Sequence, residues 1–271
     1  MGGTLASTLL RFIFPPPSSL FITAMSVFSF TSTAYLGFSE LRGKHLPYSK
    51  FWNGSSTKSG RRKQTEVCSR KGMLFGYTPA FLACLTSFVL LAPQDTRFLL
   101  LRSALTLHFF KRIFEVLFVH KYSGGMILDS VIQISLSYFM TTATMIYSQH
   151  LTQGISDPPV DLKYPGVLLF LIGIGGNFYH HYLLSKLRGK SDREYRVPKG
   201  GLFGLVICPH YLFEIISFLG ISCISQTLYA FSFTLGSALF LMGRSYATRR
   251  WYSSKFEDFP QHVKALIPYI F

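Results

Sequence analysis

Ionisable side chains occur inside stretches of this sequence that are apolar enough to cross a lipid bilayer. They fall in three separate stretches and include Lys111, Arg112, Glu115, His180, His181 and Glu214. A charge at membrane depth is costly, so such residues usually face a polar cavity and mark a functional site. The alternative for Lys111 and Arg112 is that they lie near a helix end and extend to the lipid headgroups. Recurrence in three stretches favours one shared internal cavity.

The composition predicts an integral membrane protein. Hydrophobic residues make up 49% of the 271 residues and charged residues only 14%, and membrane proteins differ from soluble domains in this direction. No polar stretch is long enough for a separate soluble core, so we expect one domain. The four cysteines are widely spaced and form no CxxC pair. They indicate neither a metal site nor a disulfide framework, and we expect free thiols or small apolar core residues.

Seven apolar runs have about the length that a transmembrane helix needs. They cover residues 20–41, 72–92, 98–120, 126–147, 164–184, 201–223 and 227–243. The sequence therefore predicts an all-α integral membrane protein with about seven transmembrane helices, the first acting as a signal anchor.

The distribution of Lys and Arg predicts the orientation. Seven crossings place residues 42–71, Lys121, residues 185–199 and the C-terminus on one side, and this side carries most of the basic residues. The basic side of a membrane protein is normally cytosolic, so we expect a lumenal N-terminus and a cytosolic C-terminus. The net charge of +15 is then explained by topology, anionic lipid and an anionic cofactor, and no nucleic-acid partner is predicted.

Basic side chains from three parts of the chain lie near the predicted cytosolic ends. They are Lys111, Arg112, Arg188, Arg193, Arg196, Arg244, Arg249 and Arg250. Arg donates two hydrogen bonds at once to phosphate, so a phosphorylated dinucleotide or coenzyme A would fit such a set. The alternative is the general positive-inside bias. The cluster Gly173, Gly175 and Gly176 lacks the GxGxxG spacing and indicates helix packing, whereas the adjacent amide of Asn177 needs a partner within lipid.

Long motifs in the C-terminal third resemble a known family. The segments are GNFYHHYLLSKLR from Gly176, YRVPKGGLF from Tyr195, CPHYLFE from Cys208 and GRSYATRRWYSSKFEDFPQHVKALIPYIF from Gly243. They are similar to the C-terminal domain of membrane steroid 5α-reductases (3-oxo-5-alpha-steroid 4-dehydrogenases), of the plant type. These enzymes use NADPH to reduce a carbon-carbon double bond conjugated to a carbonyl. A further segment, HFFKRIFEVLFVHKYS from His108, resembles a helix of the trans-2-enoyl-CoA reductases of very-long-chain fatty acid elongation.

The resemblance implies roles for individual residues. The expected NADPH-binding residues are Arg112, Asn177, Arg188, Arg196, His210, Glu214, Arg244 and Tyr252. The resemblance to enoyl-CoA reductases implies catalytic roles for Tyr211 and Lys111. No metal site is expected.

Some positions depart from the family pattern. Gly76 and Tyr77 stand where the steroid enzymes place a ketone-binding Glu, and Phe109 stands where they place a ketone-binding Tyr. His181 replaces an Asp of the cofactor pocket, and His210 replaces an Asn. Tyr77 is the candidate substitute for the lost oxygen-binding groups, and packing is its alternative role.

The expected chemistry needs a hydride donor, a hydrogen-bond donor for the carbonyl oxygen and an acid for the α-carbon. We expect Tyr211 as donor and acid, assisted by Lys111 or Tyr77 and supplied with protons by His210. Glu214 is expected to accept from the nicotinamide amide, and the alternative is an ion pair with a neighbouring Arg.

The predicted function is therefore NADPH-dependent reduction of a conjugated double bond in a hydrophobic substrate taken from the bilayer. A 3-oxo-Δ4 steroid is the first substrate class, a long-chain trans-2-enoyl-CoA the second, and a non-catalytic seven-helix lipid-binding scaffold the non-enzyme alternative. Residues 1–71 are expected to form an anchor helix and basic linker, and residues 72–271 the reductase domain, with its 5α-reductase-like part at 165–271. We expect a multi-pass protein of the endoplasmic reticulum that contacts membrane lipids and associates with other membrane enzymes.

Overall fold

The computed structural model describes residues 7–45, 65–92, 95–122, 124–187 and 196–271. Within these ranges the protein is mainly helical. Its long helices are α1 (Leu20–Leu41), α2 (Ser69–Leu90), α3 (Thr96–Phe114), α4 (Leu128–His150), α5 (Lys163–Lys186), α6 (Pro209–Ser225) and α7 (Leu228–Lys255). A π-helix (Glu115–Val119) continues α3, and a 3₁₀ turn (Gly201–Gly204) precedes α6. The strands β1 (Glu66–Cys68) and β2 (Gly125–Ile127) form a small antiparallel pair that the sequence analysis did not predict.

The sixth apolar run differs from the prediction. Residues 201–223 were expected to form one helix, but α6 begins only at Pro209. Proline is favoured at a helix start because it lacks the N–H that the first turn leaves unpaired. The residues before it pair with the C-terminal segment instead, since Ile207 N–H donates to Lys264 O at 2.9 Å and Lys264 N–H donates to Leu205 O at 2.8 Å. The apolar helix is therefore shortened to 17 residues.

Three helices of the described residues are long and apolar enough to cross a membrane. They are Leu20–Leu41, Ser69–Leu90 and Lys163–Lys186. The remaining helices fall short of this criterion in length or in apolar character. The chain is thus an all-α integral membrane protein apart from its two short strands.

The helices pack in pairs through small residues. Helix α5 runs along α6, α1 along α7, and α2 along α4. A methyl group added at Gly166 of α5 would lie 2.6 Å from Ile224 N, and one added at Gly173 would collide with the backbone of Ser217. One added at Gly176 would collide with the ring of Phe213. The predicted packing role of Gly173 and Gly176 is confirmed, because only residues without a Cβ allow this approach.

Helix α3 lies among α2, α4, α5 and α6 and carries much of the core. Its N-cap is Asp95, whose carboxylate accepts from Phe98 N–H at 2.6 Å. Phe98, Leu101 and Phe109 are buried along its length. Its last turn carries Lys111 and Arg112, at the point where the π-helix begins. A π-helical turn within a helix is frequent at functional sites. The end of α3 that carries Lys111 and Arg112 is therefore a candidate functional site.

The four cysteines are free thiols, as predicted. Cys84, Cys208 and Cys223 are buried and Cys68 is exposed.

Candidate active site

A fully buried carboxylate, that of Glu115, lies at the centre of the charged residues. Its Oε1 is 2.9 Å from His181 Nδ1 and 3.1 Å from Lys111 Nζ. Its Oε2 is 3.3 Å from Arg112 Nη1 and 3.9 Å from His120 Nε2. Burial of a carboxylate is costly unless it is paired and hydrogen-bonded. The two cations and the two imidazoles satisfy that requirement.

The local sequence explains why these groups meet. Lys111 and Arg112 lie four and three residues before Glu115, a spacing that places side chains on one face of a helix. Both cations lie in the last turn of α3, where the helix dipole favours positive charge. The arrangement is therefore encoded largely within the KRIFE segment.

Asn177 of α5 connects this group to α6. Lys111 Nζ donates to Asn177 Oδ1, and Asn177 Nδ2 donates to His210 O at 2.7 Å and to Glu214 Oε2 at 3.4 Å. The predicted need of this amide for partners is confirmed. One amide thus joins α3, α5 and α6 at a single point.

Tyr77 of α2 is the second partner of Arg112. Arg112 Nη2 donates to the Tyr77 hydroxyl oxygen at 2.6 Å, and the guanidinium carbon lies 4.9 Å from the centre of the ring. The ring also packs against Tyr138 with centroids 5.2 Å apart. Because the hydroxyl oxygen accepts from Arg112, its own proton can be donated to a third group. Tyr77 thus serves both in packing and as a polar group.

A cavity of about 250 Å³ opens beside these residues. Its charged and phenolic wall consists of Tyr77, Arg112, Tyr138, Tyr211 and Glu214. The rest of the wall comes from α1, α2, α4, α6 and α7 and is mostly apolar or hydroxyl-bearing, with Leu36, Met73, Ile134, Phe218 and Phe233 among its residues. A mostly apolar cavity with a few convergent polar groups is the usual form of a small-molecule site.

A divalent cation is disfavoured in the charged cluster, although Glu115, His120 and His181 bring their ligand atoms within 4.8 Å of one another. Each carboxylate oxygen already accepts from a cation, Lys111 on one side and Arg112 on the other. A metal ion there would be repelled by both at short range.

The contacts divide the predicted site residues into two sets. Lys111, Arg112, Asn177, His210, Glu214, Tyr77 and Tyr211 meet at the cluster or the cavity. Of the remaining four, Arg244 and Tyr252 make contacts elsewhere. Arg244 Nη1 instead bonds Glu40 Oε1 at 2.6 Å, and the other oxygen of Glu40 is 2.6 Å from His45 Nδ1.

Three of those residues lie toward the C-terminal or linker regions. Tyr252 belongs to a second apolar cluster with Ile207 and Phe259. Arg196 is exposed at the start of a described range, and Arg188 lies outside the described residues.

Sequence reasoning singled out Glu115 only as one of the ionisable residues in the apolar stretches, and it assigned no role to His120 or Glu40. The signal for Glu115 was its i+4 spacing from Lys111, which predicts an ion pair. Glu40 is a lone acid at the end of an apolar helix, and such a residue within lipid requires a cation from elsewhere. No local signal identifies His120, because its contact with Glu115 depends on the turn after the π-helix.

The chain is similar to several known proteins. The family model described as 3-oxo-5-alpha-steroid 4-dehydrogenase matches residues 126–271. A 3-oxo-5-alpha-steroid 4-dehydrogenase 2 from Macaca fascicularis is 30% identical over 227 residues, which cover 80% of this chain and 87% of the relative. A very-long-chain enoyl-CoA reductase from Dictyostelium discoideum is 30% identical over 206 residues, covering 75% and 68%. The steroid 5-alpha-reductase DET2 of Gossypium hirsutum is 39% identical over 107 residues, covering 39% and 42%.

Proposed function

The chain belongs to the 3-oxo-5-alpha-steroid 4-dehydrogenase family, and from this premise we propose that it uses NADPH to reduce a 3-oxo-Δ4 steroid-type enone. The protein is an oxidoreductase that acts on a carbon-carbon double bond conjugated to a carbonyl in a steroid-like or lipid substrate. The observation that carries the finer proposal is the cavity in which Tyr77, Arg112, Tyr211 and Glu214 meet.

The residues present fit a nicotinamide. Glu214 is buried, and within the described residues its one hydrogen bond comes from Asn177 at 3.4 Å, while the charge of Arg112 acts on it across the cavity. A buried carboxylate with a single weak bond retains capacity for a donor such as the NH₂ of a carboxamide. NADPH, when bound, supplies the hydride for the β-carbon.

The rest of the cofactor has to extend beyond this cavity. A volume of about 250 Å³ lies below the roughly 300–1,000 Å³ of sites for drug-sized ligands. The cavity therefore suits the reacting ends of the two molecules. We place the phosphates toward Arg196 and Arg244, with Arg188 completing the set.

Two phenols can bind the carbonyl oxygen, on which negative charge develops during the reaction. Tyr211 and Tyr77 both line the cavity. Arg112 donates to the hydroxyl oxygen of Tyr77, which makes the O–H of Tyr77 a stronger donor. In this proposal Tyr77 takes the place of the Glu that the steroid enzymes carry at this position. Lys111 is held by Glu115 and Asn177, so its role in the proposal is to position the amide of Asn177. Tyr211 then gives the proton to the α-carbon.

Tyr211→Phe tests the proposal, since it keeps the ring and removes only the hydroxyl group. Turnover should fall about 10²-fold or more with nearly unchanged affinity for NADPH, because the lost interaction is made mainly in the transition state. Cofactor absorbance measures turnover and calorimetry measures affinity. Tyr182→Phe, on an exposed tyrosine of α5, is the matched control and should keep full turnover. Full turnover in Tyr211→Phe would move the acid to Tyr77 or Lys111.

The runner-up substrate is a long-chain trans-2-enoyl-CoA, favoured by the match to the Dictyostelium discoideum reductase. Parallel assays of purified protein with a 3-oxo-Δ4 steroid and with a trans-2-enoyl-CoA separate the two. Phe109→Tyr sharpens the comparison, because it restores a phenol that the steroid enzymes carry and should raise steroid turnover more than enoyl-CoA turnover. If the protein oxidises NADPH with neither the steroid nor the enoyl-CoA, this result would favour the non-catalytic lipid-binding scaffold.

We place all seven long helices across the membrane of the endoplasmic reticulum, with the N-terminus in the lumen and the C-terminus in the cytosol. In a Cys68→Ser background, cysteines introduced at the exposed positions Ser254 and Ser156 test this topology. In sealed vesicles with the cytosolic face outward, Ser254→Cys should react with an impermeant reagent and Ser156→Cys should not. Equal labelling would contradict the seven crossings.

A further inference from the structure

We propose that Glu115, His120, His181 and His210 form a proton relay that reloads Tyr211 from the cytosol after each turnover. The proposal rests on the proposed role of Tyr211 as the acid, and it assigns a task to three residues that the proposed reaction does not otherwise use. It derives from a series of neighbouring titratable side chains that leads from the protein surface to the cavity.

The outer half of the relay consists of two groups on Glu115. The side chain of His120 is 23% exposed and lies in the turn after the π-helix, so it can exchange protons with water. Its Nε2 is 3.9 Å from Glu115 Oε2, and Glu115 Oε1 is 2.9 Å from His181 Nδ1. The rings of His120 and His181 are themselves 4.8 Å apart between centroids. The carboxylate therefore connects an exposed imidazole to a buried one.

The inner half leads to the cavity. The rings of His181 and His210 lie 5.3 Å apart, and those of His210 and Tyr211 lie 4.3 Å apart, between centroids. Tyr211 lines the cavity beside Glu214. Each imidazole has two nitrogens and can take a proton on one while releasing a proton from the other. Small ring rotations, or a water between neighbouring rings, complete the hydrogen bonds along which the series moves a proton.

The proposed reaction requires such a supply. After reduction of the β-carbon, the enolate electrons form a C–H bond at the α-carbon with the proton of Tyr211, whose O–H bond breaks and leaves a phenolate. His210 returns a proton to this phenolate, His181 to His210, and Glu115 with His120 to His181. Cytosolic water gives the last proton and becomes hydroxide. One proton enters for each substrate reduced, and no other co-reactant is needed.

The groups that face this path come from every neighbouring helix. They are Tyr77 of α2, Lys111 and Arg112 of α3, Tyr122 of the following loop, Asn177 of α5 and Glu214 of α6. Lys111 and Arg112 pair with the two oxygens of the Glu115 carboxylate, so two positive charges border the path.

His181→Asn is the decisive variant. Its amide keeps a donor near the position of Nδ1 for Glu115 but cannot pass a proton. In a single turnover, the proton already stored on Tyr211 is used, so the rate should stay within about twofold of wild type. In the steady state the rate should fall about tenfold, with a solvent isotope effect larger than in wild type and partial rescue by added imidazole.

His180→Asn is the matched control. His180 lies next to His181, but its Nδ1 bonds Gly176 O at 2.7 Å and its Nε2 accepts from Leu202 N–H at 3.1 Å, outside the path. This variant can lose stability, yet its isotope effect should equal that of wild type. Equal losses in single-turnover and steady-state rates of His181→Asn, without a changed isotope effect, would overturn the relay. If proton supply slows in Lys111→Met but not in His181→Asn, the relay is overturned as well.

A measurement without cofactor separates the relay from the proposed function. After a pH jump, phenolate absorbance follows the ionisation of Tyr211, identified as the part of the signal that Tyr211→Phe removes. His181→Asn should slow this part at least fivefold, and His180→Asn should not. An unchanged rate would refute the relay even in an active enzyme. Conversely, failure of the wild-type protein to oxidise NADPH with any enone would refute the proposed function and leave the pH-jump result to stand on its own.

Discussion

Each end of α3 carries an arginine, Arg97 at the start and Arg112 in the last turn, and the two environments differ. Arg97 is held by Asp157 at 3.1 Å, Asp161 at 2.7 Å, and the oxygens of Ile224 and Gln226 at 2.8 Å. Arg112, 15 residues and about 22 Å further along the helix, faces the fully buried Glu115 and a cavity. The first arginine is surrounded by acceptors, whereas the second shares its acceptor with another cation.

This difference distinguishes a structural ion-pair group from a reactive one. The side chains of Asp157 and Asp161 are 49% and 38% exposed, so the charges around Arg97 are partly solvated. Gln226, in a left-handed conformation with φ of 50°, adds hydrogen bonds to Phe12 O and Val160 O. This end ties loops together. At the Arg112 end, charged and phenolic groups line a cavity that a substrate can enter, as expected of a functional site.

The largest expected effect is on stability at the Arg97 end. Arg97→Gln removes the cation that joins the loop before α5 to the end of α6, and leaving its two buried acceptors, Ile224 O and Gln226 Oε1, without this donor typically costs about 1–3 kcal/mol each. Unfolding in detergent should show the loss, while turnover per folded molecule stays within about twofold of wild type, since no catalytic group contacts Arg97. A large drop in turnover of the folded fraction would remove the distinction between the two ends.

The next effect is on turnover at the Arg112 end. Arg112→Gln takes away the charge that supports Tyr77, and loss of one such donor typically lowers turnover by about 10²- to 10³-fold. Tyr77→Phe should cost a similar factor, and the double variant little more than either, because both changes remove one interaction. Strict additivity of the two losses in cofactor-absorbance assays would show that Tyr77 and Arg112 act separately.

Some of this contrast could be predicted from the sequence. The long helices were predicted because their apolar runs have transmembrane length. Lys111, Arg112, Asn177 and Glu214 were identified because polar groups within lipid need a polar partner or a cavity. The late start of α6 was not predicted, since it depends on pairing with residues 264–265, far along the chain. The partnership of Arg244 with Glu40 was missed for the same reason, because it joins helices separated by 204 positions. Local spacing predicts helices and ion pairs within a turn, whereas distant partners follow from packing.

Arg244 and Glu40 form a further buried ion pair, and experiment can assign it to the structural or to the functional class. If Arg244 binds a phosphate of NADPH, Arg244→Ala should weaken NADPH binding by about 1.5–3 kcal/mol. Glu40→Gln should have the opposite sign, because it frees the guanidinium from a competing carboxylate. Calorimetry with NADPH and NADH measures both. Unchanged NADPH affinity in Arg244→Ala would group this pair with Arg97 as structural.

The smallest expected effect is the pH dependence of the Arg97 group. Burial alone would raise the pKa of the Asp161 carboxyl, but the hydrogen bond from Lys163 N–H and the charge of Arg97 outweigh it and hold the pKa below its ordinary value of 3.8. A lowered pKa in the folded protein means that the ionised carboxylate stabilises the fold above the ordinary value. This stabilisation is lost as the pH falls through the folded pKa.

The difference in melting temperature between wild type and Asp161→Asn should accordingly be full at pH 6 and shrink below about pH 4, near the ordinary pKa of an aspartate. Partial exposure of Asp161 limits the effect, because solvent screens the pair. In an Arg97→Gln background most of the pH-dependent part should vanish, since the charge responsible for it is gone. A difference that persists in that background would assign the stabilisation to Lys163 and leave Arg97 held mainly by Gln226 and the backbone of α6.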